Sequence, residues 1–184
     1  MLYLCISLSG FVSFRLKTYF SMTEFRAMRR NRQQLSKEEC ERILGHCTSG
    51  VLALMGDSGY PYAVPLSYVY ADGAIIFHSA VQGHKVDAIK RDNHCSFCVI
   101  EQDEIKPAEF TTYFRSVIVF GRIQMVTDEA EKVQLLRLLG RRYSPDNEHG
   151  LQHEIDKSLD HVLLLRLDID HMSGKEAIEL VNKR

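Results

Sequence analysis

Ala74-Ile75-Ile76-Phe77-His78-Ser79-Ala80-Val81-Gln82-Gly83-His84-Lys85-Val86-Asp87-Ala88-Ile89-Lys90-Arg91 is the stretch on which the fold turns. Its apolar run ends abruptly at small and polar residues. A helical pattern begins near Gly83, with Val86 and Ile89 on one face. The segment therefore reads as a strand handed to a helix through a short polar loop. A helix start carries free N–H groups and a partial positive charge. Here it stands beside the Ser79 hydroxyl and the Lys85 cation, which suits an anion, most economically a phosphate. An ordinary strand–loop–helix connection with a solvated lysine has the same pattern.

Outward from this crossover the chain reads mainly as strands. Ser36-Lys37-Glu38-Glu39 is a capping box, and the helix it opens carries Cys40, Ile43, Leu44 and Cys47 on one face. Val51–Met55 reads as a buried strand, and Gly56-Asp57-Ser58-Gly59 as a turn. Tyr62–Tyr70 is a strand interrupted by Pro65, which implies an edge, a bulge or a ligand approaching the backbone. Ala71-Asp72-Gly73 is a hairpin turn. Strands follow over 94–101 and 111–126, joined by a polar connection over 103–108, with Gly121 expected to mark a bulge or bend. Thr127-Asp128-Glu129 caps a helix through Arg141, with Ala130, Val133, Leu136 and Leu139 inward. Residues 144–158 are polar surface, His161–Ile169 is a closing strand, and a short helix is expected from Gly174 onward. About six strands with short connections favour a mainly antiparallel sheet closed into a barrel, helices outside.

A chain of 184 residues with 45% hydrophobic and 26% charged residues is an ordinary globular domain with a sizeable core. The net charge of -1 gives no broad field for nucleic acid, and the Arg26, Arg29, Arg30, Arg32 cluster reads as a solvated segment. Five irregularly spaced cysteines argue against a disulfide framework and for a reducing, cytoplasmic setting. Cys95 and Cys98 resemble a CxxC pair. On a strand they face opposite ways and cannot readily share a metal. Met1–Leu8 is apolar, but Arg15 and Lys17 follow it rather than precede it, which inverts the order of a signal peptide. The run is too short to span a bilayer. Met22 or Met28 is an alternative start, and residues 1–33 are expected to be a poorly ordered extension before a domain over 34–184.

His46, His78 and His84 are expected to lie near each other on the loop and helix, and His78 stands out because it ends a strand beside the anion site. His149 and His153 lie one helical turn apart but lack an HExxH arrangement. No Ser-His-Asp order, Walker loop or GxGxxG is present. No nucleophile stands with its base, so any enzymatic chemistry would be a cofactor's.

Several pieces in order carry a resemblance. They are Gly59-Tyr60-Pro61-Tyr62-Ala63-Val64-Pro65-Leu66-Ser67-Tyr68, then Ile76-Phe77-His78-Ser79-Ala80, then Gly83-His84-Lys85. Tyr113-Phe114-Arg115-Ser116-Val117-Ile118-Val119-Phe120-Gly121 and Asp170-His171-Met172-Ser173-Gly174-Lys175 follow. Across about residues 34–180 the chain resembles the pyridoxamine 5'-phosphate oxidase-like, FMN-binding split-barrel family, nearest its nitroimidazole-resistance reductase group. The resemblance implies a six-stranded antiparallel split β-barrel of Greek-key type. It also implies a homodimer with FMN at the subunit interface, and no nucleic-acid or membrane partner.

Carried over, Val64, Pro65, Leu66 and Ser67 run along the flavin through backbone groups. His78 and Ser79 end the strand beside it, with His78 the candidate active-site residue. Gly83, His84 and Lys85 form the phosphate site, and Ser116 reaches the ring from the partner subunit. The implied activity is flavin-dependent reduction of a small acceptor, such as a nitroaromatic of the nitroimidazole kind, by an electron donor. A haem-binding barrel with His78, His84 or His171 as axial ligand is the alternative, and a non-catalytic flavin-binding protein the other. The vitamin B6 oxidases carry more arginines at the phosphate and a C-terminal Trp/Arg clamp. This chain has no tryptophan, which argues against vitamin B6 oxidation.

Overall fold

Residues 25–183 are described by a computed structural model. The alternative start at Met22 and the apolar leader lie outside them. A helix, α1 (Lys37–His46), opens at the expected capping box: the Ser36 hydroxyl accepts from the Glu39 N–H at 3.2 Å, and the Glu39 carboxylate accepts from the Ser36 N–H at 3.4 Å. Its Cys40, Ile43 and Leu44 are buried against the barrel.

Seven strands then form one antiparallel sheet, β1 (Ser49–Met55), β2 (Pro61–Ser67), β3 (Val69–Ala71), β4 (Ala74–Ala80), β5 (His94–Lys106), β6 (Thr111–Met125) and β7 (Val162–Glu176). Their order is β2-β1-β5-β6-β7-β4-β3. The helix α2 (His84–Arg91) links β4 to β5. Between β6 and β7 lie α3 (Glu129–Tyr143) and α4 (Glu148–Ser158), and α5 (Ile178–Val181) follows β7. The mainly β antiparallel barrel with outer helices is thus the expected class. The seventh strand arises because the chain expected as one strand over 62–70 divides into β2 and β3.

The division falls at Tyr68, not at Pro65. Tyr68 is fully buried, its N–H donates to the Thr48 carbonyl at 3.2 Å, and its hydroxyl donates to the Leu44 carbonyl at 2.8 Å. The two outermost strands of the sheet are therefore consecutive in the chain and meet at this one residue, so the barrel is split there. The Tyr143 hydroxyl on α3 accepts from the Tyr68 N–H at 2.8 Å and fastens the seam from outside. Pro65 has a different part. β2 pairs only with β1, so it is an edge strand. In an antiparallel ladder alternate residues turn both backbone polar groups to the same side. Pro61 and Pro65 share a parity, and neither has an N–H to give β1, so that side is the free edge.

The barrel interior holds Leu52, Phe77, Phe97, Val117, Val119, Ile123 and Leu167, all fully buried. A second cluster, Ala74, Ile76, Val126, Leu135, Leu139 and Leu164, lies outside β4 and β7 and seats α3. The inward face of α3 is thus Leu135 and Leu139, with Leu136 partly covered, while Ala130 is exposed. Of the expected inward residues, Leu139 is buried, Val133 and Leu136 are partly covered and Ala130 is not, while Leu135 is inward without having been expected.

Two strands outrun the sequence reading. β5 continues through the polar residues to Lys106, because pairing with β6 satisfies the backbone whatever the side chains, with a register shift between Ile100 and Gln102. β7 continues through Gly174 to Glu176 and pairs with β6 along that length, so the final helix starts only at Ile178. At Gly121 the expected irregularity is present. Phe120 faces His171 and Gly121 faces Ile169, so Asp170 on β7 is the extra residue. From the expected extension, Phe25 stacks on His171 at 4.6 Å, and Gln33 donates through Nε2 to the Glu176 carbonyl at 2.9 Å. Cys95 is buried and Cys98 partly exposed, on opposite faces of β5 as expected, and burial pushes the Cys95 thiol up to about 12. No helix among the described residues is long and apolar enough to cross a membrane.

Candidate functional site

The sequence-predicted residues lie on β2, at the end of β4 and at the start of α2, with one exception. On β2, Val64 and Leu66 turn inward and pack against the core, whereas Pro65 and Ser67 are exposed on the outer face. On β4 the side chains of His78 and Ser79 point to opposite faces. Ser79 is buried, while His78 shares the outer face with Ala74 and Ile76. His78 and Ser67 line the same cavity, although no spacing in the sequence joins them. The three histidines do not form a cluster. His78 lies on β4, the His46 carbonyl accepts from Arg142, and His84 opens α2.

α2 begins differently from its neighbours. Ser36, Asp128 and Asn147 each cap their helix through a side-chain oxygen. The cap of α2 is Gly83, at φ 126°, which offers none. Only glycine adopts that conformation without strain. The space that a Cβ at Gly83 would enter is open. The helix is fixed in place from the side. The His84 ring stacks on Tyr62 at 4.1 Å and its Nε2 lies 3.3 Å from an Asp57 carboxylate oxygen. Arg91 bonds the same carboxylate and is the main reason the Asp57 pKa lies below its usual range.

Lys85, next in the chain, is half-buried, and no hydrogen bond or ion pair holds its ammonium among the described residues. Burial lowers its pKa from the ordinary lysine value. A desolvated cation without a counter-ion is unfavourable. An anion here would replace lost hydration and meet the uncapped N–H groups as well.

Ser116 is the exception. It lies on β6, opposite Ile100 and Lys175, and no residue of β2, β4 or α2 pairs with it. It adjoins an apolar outer surface. Val51 and Ile118 both flank Cys98 across β1, β5 and β6, and these two residues with Ile100 and Phe120 are exposed. Among the described residues no group of His, Cys, Asp and Glu is arranged to hold a metal ion. The apolar lining of the cavity beside His78 was not foreseen, because it comes from α3 and α4, which the sequence shows only as amphipathic or polar.

The sequence matches the family model described as pyridoxamine 5'-phosphate oxidase over residues 36–176. Among solved structures, a 5-nitroimidazole antibiotic resistance protein from Bacteroides thetaiotaomicron is similar, with 21% identity and a TM-score of 0.66 over 78% of this chain and 86% of that one. A FAD-binding protein from Mesorhizobium loti shares 26% identity with a TM-score of 0.55, over 79% and 97% of the two chains. A flavocytochrome from Azotobacter vinelandii shares 21% identity with a TM-score of 0.72, over 82% and 72%. No curated protein matches the chain in sequence.

Proposed function

The chain belongs to the pyridoxamine 5'-phosphate oxidase family, and on that premise we propose that it is an FMN-binding oxidoreductase whose flavin lies along β2, the end of β4 and the start of α2. The observation that carries this reading is Lys85, a half-buried cation with no counter-ion among the described residues, beside a glycine-capped helix start. Both features suit a phosphate monoester. The free edge of β2 offers the flavin ring backbone groups, notably the Ser67 N–H and the Pro65 carbonyl. His78 stands on the outer face at the rim of the cavity, where it would meet a substrate rather than the phosphate.

When bound, FMN would supply the hydride chemistry. The residues of this chain hold the phosphate, align the ring along an edge with few competing donors, and present His78 to an acceptor. Residues around β2 cover one side of such a ring. The other side fits a second copy of the chain, applied through the apolar face of Val51, Ile100, Ile118 and Phe120. Contiguous apolar surface of this kind is where subunits meet. A two-fold contact would bring Ser116 of the partner toward the flavin, which accounts for its position away from the rest. The electron acceptor on this reading is small and organic, a nitroaromatic being one candidate.

The test is a comparison of FMN with riboflavin, which lacks only the phosphate. Flavin absorbance that survives desalting, and FMN binding at least about tenfold tighter than riboflavin binding, are the expected results. Equal affinity would remove the phosphate site, and a Soret band in place of flavin bands would make the haem reading the better one. Sedimentation equilibrium of the loaded protein is expected to give twice the chain mass, and a monomer that holds FMN fully would refute the interface role of Ser116.

A further inference from the structure

Beside the proposed flavin site lies a cavity of about 330 Å³, open to solvent, between the barrel and the α3–α4 pair. That volume is at the lower end for small organic ligands. Its walls are Leu136 and Leu139 from α3 and Leu151 and Ile155 from α4. Most polar groups on the lining are already engaged. The Tyr143 hydroxyl sits among backbone groups of Thr48 and Tyr68. The Ser158 hydroxyl donates to Glu154 at 3.1 Å. Only the side chains of Ser67 and His78 have no hydrogen-bonding partner among the described residues. No lysine or arginine lines the cavity, and the one charged group in its lining is the Glu154 carboxylate.

We infer that this cavity receives a neutral, ring-bearing organic molecule whose hydrogen-bonding atom meets His78 and Ser67. An anion finds no cation here and meets a carboxylate, so phosphorylated or carboxylated substrates are disfavoured. An apolar ring is stabilised by leaving water for the leucine walls. The two remaining polar side chains come from the barrel strands and the apolar walls from α3 and α4, which orients a molecule with an apolar body and a polar tip. Occupation by an electron acceptor rests on the flavin reading above, because Ser67 and His78 belong to the strands along which the flavin is placed. Binding itself does not depend on that reading.

The experiment is calorimetric titration of the full chain with a methyl naphthyl ketone and with naphthoate, which share the ring and differ in charge, each with and without FMN. Saturable binding of the ketone, with naphthoate at least about tenfold weaker, is the expected result. Leu136→Trp, which fills the space, is expected to abolish ketone binding, and Val162→Phe does the same from β7. His78→Phe is expected to weaken binding about tenfold, the scale of one lost hydrogen bond. No saturable binding of the ketone, or preference for naphthoate, or indifference to both space-filling variants in folded protein, overturns the inference. Ketone binding by a protein that takes up no FMN would uphold the cavity and refute only its link to the flavin.

Discussion

Gly121→Ala is expected to destabilise the protein by about 3 kcal/mol, the upper part of the range for inserting a methyl group into a packed interior. Gly121 lies on β6 where the pairing with β7 changes register. A Cβ built there would stand 2.1 Å from the Asp168 carbonyl oxygen and 2.9 Å from a Leu167 methyl carbon. The first neighbour is backbone held in a central strand pair, and the second belongs to a fully buried side chain. Neither can give way without opening the ladder around Asp170. For a chain of this length the loss corresponds to a fall in Tm of about 6–12 °C. Gly45→Ala is the matched control. It adds the same methyl to an exposed position in α1 with nothing within 4 Å, where helix propensity favours alanine by about 1 kcal/mol. Thermal and urea unfolding of both variants measure the difference. A Gly121→Ala protein as stable as the wild type would show that the β6–β7 strands are not packed as described.

Lys85→Ala is expected to weaken FMN binding by about 1.5–3 kcal/mol, roughly tenfold to a hundredfold, the scale of a hydrogen bond to a charged group. Riboflavin, which has no phosphate, should bind the variant as it binds the wild type. Loss of affinity for both flavins alike would mean that the substitution disturbs α2 instead. The pH dependence has a definite sign. Burial lowers the Lys85 pKa, and the protonated form is the one that attracts a phosphate. Its contribution to affinity is therefore complete well below that pKa and is lost as the pH rises through it, which occurs below the ordinary lysine range. The FMN-to-riboflavin affinity ratio of the wild type should fall on the alkaline side, and that of Lys85→Ala should stay flat there. A wild-type ratio that holds constant to high pH would sink the assignment of Lys85 to the phosphate.

The strand–loop–helix of 74–91 was legible because a short apolar run and a helical period stand side by side there, and the anion-binding features are local to it. The capping box at Ser36 and the helix cap at Asp128 were legible for the same reason. The far ends of β5 and β7 were not. Their stability comes from pairing with β6, whose partners lie many residues away, so the polar stretch before Lys106 and the glycine at 174 read locally as breaks. The break between β2 and β3 went to Pro65 on local grounds, whereas the residue that turns the chain is Tyr68, through contacts with Leu44 and Thr48. At the site, the alternation of β4 was available from the sequence and sends His78 and Ser79 to opposite faces. What the sequence could not show is which layer lies over each face. That α3 and α4 cover the His78 side, and so create the cavity, follows from the long excursion between β6 and β7 folding back over the barrel.

The prolines of β2 have a consequence for the protein in concentrated solution. A bare strand edge is a template on which identical molecules stack. Between Pro61 and Pro65, the outward side of this edge offers one N–H, that of Ala63, because the two prolines remove the donors that a neighbouring strand would need. A flavin can lie along such an edge using carbonyls and the Ser67 N–H, whereas an incoming strand would leave two of its own carbonyls unmatched. The edge therefore discriminates between a flat ligand and a second chain, and filament growth by strand addition is resisted at the place where the barrel is open.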